Sequence, residues 1–229
     1  KCLFYLLKKK VIDDKYIIQA IIPAKRYIDN RYDCADFRMQ TLMRILYLHG
    51  ERIKSISPEG YSLIREAFLG EKYWMTEPGE DSACYWSENH QLLFAVSEYL
   101  AGQMWPHERF FNDNALGLEH MNRGKKRIGY WMEHVFRHGY TELNSSNYYL
   151  FDLGPASNFI QFASDDDAIM KKRMTMCMDL LLYDIVSNMY DYSFTAPTMR
   201  AYTDNVVGGK GDKVRQLTDY IFKLNDNHK

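Results

Sequence analysis

No stretch of the chain approaches the ~20 consecutive apolar residues that a membrane-spanning helix needs. Strict apolar–polar alternation, the mark of a half-buried strand, is scarce as well, which argues against a sheet-based fold. The four cysteines, Cys2, Cys34, Cys84 and Cys177, show no CxxC spacing. That removes the usual zinc frameworks, so neither a metal nor a cofactor is expected, and buried free thiols are the default. Excess positive charge is missing too: 29 Lys and Arg stand against 30 Asp and Glu, giving a formal net charge of −1. A general nucleic-acid-binding surface leans on a net basic charge and is not expected here. There is no low-complexity segment and no exact repeat. The short apolar run from Cys2 to Leu7 precedes Lys8-Lys9-Lys10, the reverse of the order in a signal peptide. The first residue is Lys1 rather than Met, so a fragment of a larger protein is expected.

What is present is helical periodicity. Apolar spacing predicts helices near 11–30, 34–50, 58–69, 88–104, 116–138, 147–163, 167–190 and 212–224. In the clearest, 167–190, Ile169, Met174, Met176, Leu180, Leu181, Tyr183 and Ile185 form a broad apolar surface. Asp165-Asp166-Asp167 would cap its N-terminus, and Met170 and Met178 beside that surface read as gap-filling core. Ser57-Pro58-Glu59 is another clean start, with Pro at the first helical position. Gly50, Gly70, Gly139 and Gly208-Gly209 read as helix ends, and two long loops are expected at about 71–87 and 192–211. Aromatics make up 15% of the residues, with 18 Tyr, 12 Phe and 4 Trp. Core packing explains most of them, and stacking on sugar rings is the functional alternative.

The predicted helices pair into antiparallel hairpins, an all-α architecture expected to form one helical domain over 1–229 with its best-supported core at 73–202. If 88–104 and 147–163 are inner helices, and 116–138 and 167–190 outer ones, both inner N-termini share a face with the loops 71–87, 139–146 and 192–211. Glu88, Asn89, His90, Glu142, Asn144, Tyr148, Tyr149, Arg200 and Tyr202 all fall on that face, with Trp86 immediately before. Helix N-termini carry partial positive charge and free N–H groups, which suits an anionic ligand such as a uronate carboxylate.

The stretch from Cys84 to Phe94, containing Trp86-Ser87-Glu88-Asn89-His90-Gln91, resembles a motif of large, little-characterised microbial proteins, as do Tyr99 to Gln103 and Tyr140 to Tyr149. At the level of fold these look like α/α-toroid polysaccharide lyases of the alginate and hyaluronate lyase type. The Asn-Asn-His stretch of such alginate lyases is similar to Glu88-Asn89-His90, with Glu88 replacing the first Asn. Their later tyrosine is similar to Asn147-Tyr148-Tyr149. The resemblance covers about 73–202 and implies a partial (α/α) toroid, a secreted or periplasmic setting, and an acidic polysaccharide or oligosaccharide as partner. The oligomeric state is not legible.

On that resemblance the expected chemistry is β-elimination on a uronate polymer. Asn89 would neutralise the carboxylate, His90 would act as base or second neutraliser, and Tyr148 would protonate the bridge oxygen or, ionised, abstract a proton. Arg200 would pair bidentately with a substrate carboxylate, while Trp86, Glu88, Glu142, Asn144, Tyr149 and Tyr202 would line the substrate site. Two alternatives remain open: a non-catalytic scaffold binding glycan or protein, and a glycoside hydrolase using Glu88 with Glu142 or Asp152. Asn89 and His90 beside Ser87 could simply cap their helix. His134 and His138 sit at i, i+4 but lack the Glu of a HExxH site, so they read as outer-face residues, as do His107 and His120.

Overall fold

A computed structural model describes residues 8, 13–190, 193–200, 202 and 213–221. The predicted helix starts at 11–12, the loop at 203–211 and the chain beyond 221 lie outside the described residues. Within them the chain is all-α. Its helices are α1 (Asp14–Asp29), α2 (Ala35–Ile56), α3 (Pro58–Gly70), α4 (Glu88–Met104), α5 (Gly117–His138), α6 (Tyr149–Phe162), α7 (Ala168–Ser187) and α8 (Lys213–Ile221). A two-residue antiparallel pair, β1 (Met189–Tyr190) and β2 (Ser193–Phe194), follows α7. The predicted helix 167–190 therefore stops at Ser187, and its last residues turn into this ribbon.

Local chemistry accounts for most boundaries. The Asp13 carboxylate accepts from Lys15 N at the start of α1, and Ser57 Oγ accepts from Gly60 N ahead of α3, with Pro58 at the first helical position. Glu119 reaches back to Leu116 N at 3.2 Å to close the first turn of α5. Gly50 does not end α2, contrary to expectation: Ile53 is buried one turn on, so burial carries the helix through to Ile56. The Asp165–Asp167 triplet forms a single 3₁₀ turn ahead of α7, and Asp167 stands at the N-cap position of α7 without a side-chain capping bond. Asp167 is buried there, accepting from Tyr99 Oη at 2.6 Å and pairing with Lys125.

The centre of the molecule is α4, in which 14 of 17 residues are buried. It packs closely on α5 because glycines remove the side chains between them. A Cβ on Gly102 would stand 2.3 Å from Gly117 O, and one on Gly124 2.6 Å from Tyr99 N. Gly102 meets the start of α5 whereas Glu88 O accepts from Trp131 Nε1 near its end, so the two helices are antiparallel. By contrast α6 runs parallel to α4. Gln103 binds Phe162 O and Tyr99 meets Phe159 at one end, while Glu88 binds the loop leading into α6 at the other. The N-termini of α4 and α6 thus share an end of the molecule. α2 packs against α4 and α6, α7 against α6 and α5, and α1 and α3 close over α2. Gln40 of α2 ties the centre together by hydrogen bonds to Leu93 O, Ser97 and Asn158. No helix among the described residues is long and apolar enough to cross a membrane.

Candidate functional site

Glu88 organises the shared end. Its carboxylate accepts from Thr141 N at 2.9 and 3.0 Å and from Glu142 N at 3.2 Å. The loop that follows α5 is therefore fastened to the first turn of α4 through backbone donors that a sequence does not display. Burial raises the Glu88 pKa, and these two N–H groups oppose the rise.

Glu142, held in place by that bond, faces Arg200. Arg200 Nη1 donates to Glu142 Oε1, and Arg200 Nη2 donates to Tyr148 Oη at 2.9 Å. The guanidinium stacks on the Tyr148 ring, 3.8 Å from its centroid. Tyr148 Oη and Tyr202 Oη are 2.6 Å apart. Arg200 in this network, and Asn144 in the loop that follows α5, adopt left-handed backbone conformations, with φ of 55° and 52°. The two phenols are pushed in opposite directions. Burial and the Tyr202 contact push Tyr148 up to about 12, whereas the hydrogen bond shared with Tyr148 and the Arg200 guanidinium lower Tyr202.

Beside this network an open cleft of about 500 Å³ is lined by Trp86, Gln91, Tyr130, Trp131, His134 and Glu142, among others. Trp86 and Tyr130 are 71% and 64% exposed, large flat rings left in solvent on its walls. Glu142 joins the cleft to the Arg200–Tyr148–Tyr202 network.

The remaining expected site residues lie deeper. Tyr149 is fully buried, and its hydroxyl accepts from Asn144 N at 2.6 Å, so it locks the loop from inside. Asn89 is also fully buried. Its Oδ1 accepts from Ser87 Oγ at 2.9 Å, and its Nδ2 has no hydrogen-bond partner among the described residues. Ser87 stands at the N-cap of α4 without a side-chain capping bond, because its hydroxyl is given to Asn89. His90 turns towards α2, with Nδ1 2.5 Å from Oδ2 of the wholly buried Asp36. It reaches Tyr148 only through a relay of rings: His90–Phe37 at 5.5 Å, Phe37–Phe151 at 4.7 Å and Phe151–Tyr148 at 5.6 Å.

Two carboxylates carry more weight here than their sequence context reveals. Asp36 holds His90 across 54 residues of chain. Asp152, 1% exposed, has neither oxygen hydrogen-bonded among the described residues, and burial with the charges of Glu88 and Glu142 raises its pKa well above that of an ordinary aspartate. Both lie in helical stretches where the only prior signal was a polar residue on an otherwise apolar face. His120, expected on the outer face, is instead fully buried between Glu98 (2.9 Å) and Asp113 (3.1 Å). Small residues at Gly124 and Gly102 bring α5 close enough to α4 for that to happen. His134 stays near the surface and meets Thr141 Oγ1 at 3.2 Å.

Comparison with protein-family models, with curated proteins and with solved structures returned no match to this chain.

Proposed function

We propose that the protein is carbohydrate-active and lyase-like, cleaving an acidic, uronate-containing polysaccharide by β-elimination, with its hairpins forming part of an (α/α) toroid. The observation that carries the reading is the Arg200–Tyr148–Tyr202 network, joined through Glu142 to a cleft whose walls include exposed Trp86 and Tyr130. Elimination requires a neutralised uronate carboxylate, a base for the C5 proton and an acid for the departing oxygen. Arg200, its side chain 43% exposed, exchanges its Glu142 partner for the substrate carboxylate and neutralises it. Tyr202, its pKa lowered, takes the C5 proton as phenolate, and Tyr148, its pKa raised, gives one to the bridge oxygen. Trp86 and Tyr130 supply flat apolar faces for sugar rings. Glu88 acts at one remove, by fixing the loop that presents Glu142 to Arg200. His90, turned to Asp36, is given no proton to move in this scheme.

The test is product analysis. The protein is incubated with a panel of uronate polymers while the ultraviolet absorbance of the unsaturated uronate and the reducing ends are followed together. Growth of both supports elimination. Reducing ends without absorbance point to hydrolysis through Glu88 or Asp152, and neither signal points to a scaffold that binds without cleaving.

A further inference from the structure

Two groups of metal-ligating side chains occur among the described residues: Glu77, Asp113 and His120, and Asp33, Cys34 and His90. They differ in one decisive respect. Both ring nitrogens of His120 already face carboxylates, Nδ1 towards Glu98 and Nε2 towards Asp113, and Asp113 also takes Arg123. That histidine is a satisfied link in an ion-pair network. In the second group His90 has one nitrogen held, and the other has no hydrogen bond among the described residues. His90 Nδ1 is committed to Asp36 at 2.5 Å, which leaves Nε2 as its donor.

We propose that Asp33, Cys34 and His90 form a binding site for a divalent metal of borderline softness, Zn²⁺ by its chemistry, in which Asp36 orients the histidine from behind. The donor atoms of the three residues lie within 4.8 Å of one another. Donors around one tetrahedral Zn²⁺ stand roughly 3.3–3.8 Å apart, given Zn–S near 2.3 Å and Zn–N near 2.0 Å. Rotation of the exposed Asp33 and half-buried Cys34 side chains covers that difference. A thiolate, an imidazole and a carboxylate match Zn²⁺ better than Mg²⁺ or Ca²⁺, which prefer oxygen alone. A carboxylate on the far nitrogen of a ligating histidine is the usual outer support of such sites, and Asp36 is wholly buried and directed at that nitrogen. The ion would join the turn between α1 and α2 to the first turn of α4. The helix carrying Trp86 to Gln91 at its start would thus be pinned to the other side of the molecule. This inference does not depend on the proposed lyase activity.

The test uses Co²⁺ as a coloured substitute for Zn²⁺. Chelator-treated protein is titrated with Co²⁺, and the thiolate-to-metal charge-transfer absorption in the near ultraviolet is recorded. One equivalent is expected to saturate it, and Zn²⁺ is expected to bleach it. Cys34→Ser should abolish the band while Cys84→Ser keeps it. His90→Gln, whose amide still reaches Asp36, should weaken binding by at least ~100-fold, and Asp36→Asn by ~10–100-fold, the usual cost of losing an outer partner. Circular dichroism on each variant shows that it is folded. Absence of the band in the wild-type protein, or its persistence in Cys34→Ser, overturns the proposal.

Discussion

Tyr148 and Tyr202 are chemically identical side chains given different tasks by their surroundings. Tyr148 is partly buried under the Arg200 guanidinium, while Tyr202 is half exposed and shares a hydrogen bond with Tyr148. If Tyr202 is the base, the rate should rise with pH as Tyr202 ionises, along a limb lying below the ordinary tyrosine value of 10. Arg200→Gln removes the positive charge and should shift that limb upwards, which a pH–rate profile of both proteins records. A second prediction concerns Glu88. Glu88→Gln can keep its oxygen at the Oε2 position, which accepts from both Thr141 N and Glu142 N, but sets an amide N–H₂ against the Thr141 N–H in place of Oε1, costing about 1 kcal/mol in thermal or urea unfolding. At this scale the sequence was partly legible. Trp86 to His90, Tyr148, Arg200 and Tyr202 could be singled out because unusual polar groups opened predicted helices or filled a long loop. Their partners could not. Glu88 bonds to main-chain N–H groups more than 50 residues away, and Asp36 and Asp152 acquire their environments only through helix packing.

At the level of elements, periodicity located the eight α-helices found among the described residues, because a helix with one buried face carries the repeat that packing imposes. Helix 88–104 is found at those residues although nearly all of it is buried. Here its flanks, Ser87 before it and Trp105-Pro106 after it, mark the ends more clearly than its pattern. The ribbon at 189–194 was not legible, since two residues per strand are too few to show alternation. The glycines offer a paired test. Gly102→Ala would drive a Cβ into the backbone of Gly117 and Met121, at 2.3 and 2.4 Å, and should cost about 2–3 kcal/mol or more as α4 and α5 separate. Gly129→Ala lies on the same helix pair but has nothing within 4 Å, and should gain about 0.5–1 kcal/mol from helix propensity. Chemical denaturation of the two variants checks both signs.

Across the whole molecule, the parallel course of α4 and α6 gathers acidic groups at one end and leaves several of them dry. Burial raises the pKa of Glu71 from 4.5 to about 8, and burial with the charges of Glu88 and Glu142 raises that of Asp152 well above the ordinary aspartate value. A carboxyl whose pKa is higher in the folded than in the unfolded chain keeps a proton that unfolding would release. Its folded state is therefore favoured at low pH and loses ground as pH rises through the two values. For Glu71 that window runs from about 4.5 to about 8. Stability should be greater at pH 5 than at pH 8, and Glu71→Gln should flatten the difference. Its gain at pH 8 has an upper limit of ~5 kcal/mol, from 1.36 kcal/mol per pKa unit. Thermal melts across the range read this directly. The hairpin order and the common end of α4 and α6 were legible from loop lengths and helix count. The depth at which Asn89, His90 and Tyr149 lie was not, because burial depends on what covers a helix N-terminus, here α2 and the 139–146 loop.

The central claim is that an arginine-backed tyrosine pair moves the proton in cleavage of a uronate polymer. Its most direct test is the rate of unsaturated-product formation by Tyr148→Phe against the wild-type protein, per folded molecule and at saturating polymer. The substitution removes one oxygen from a half-buried ring and keeps the Arg200 stacking, so the fold should persist. The account predicts a ~10²–10⁴-fold loss of turnover, the scale of a missing general acid or base, with the melting temperature nearly unchanged. Turnover equal to that of the wild-type protein in a folded Tyr148→Phe variant would contradict it.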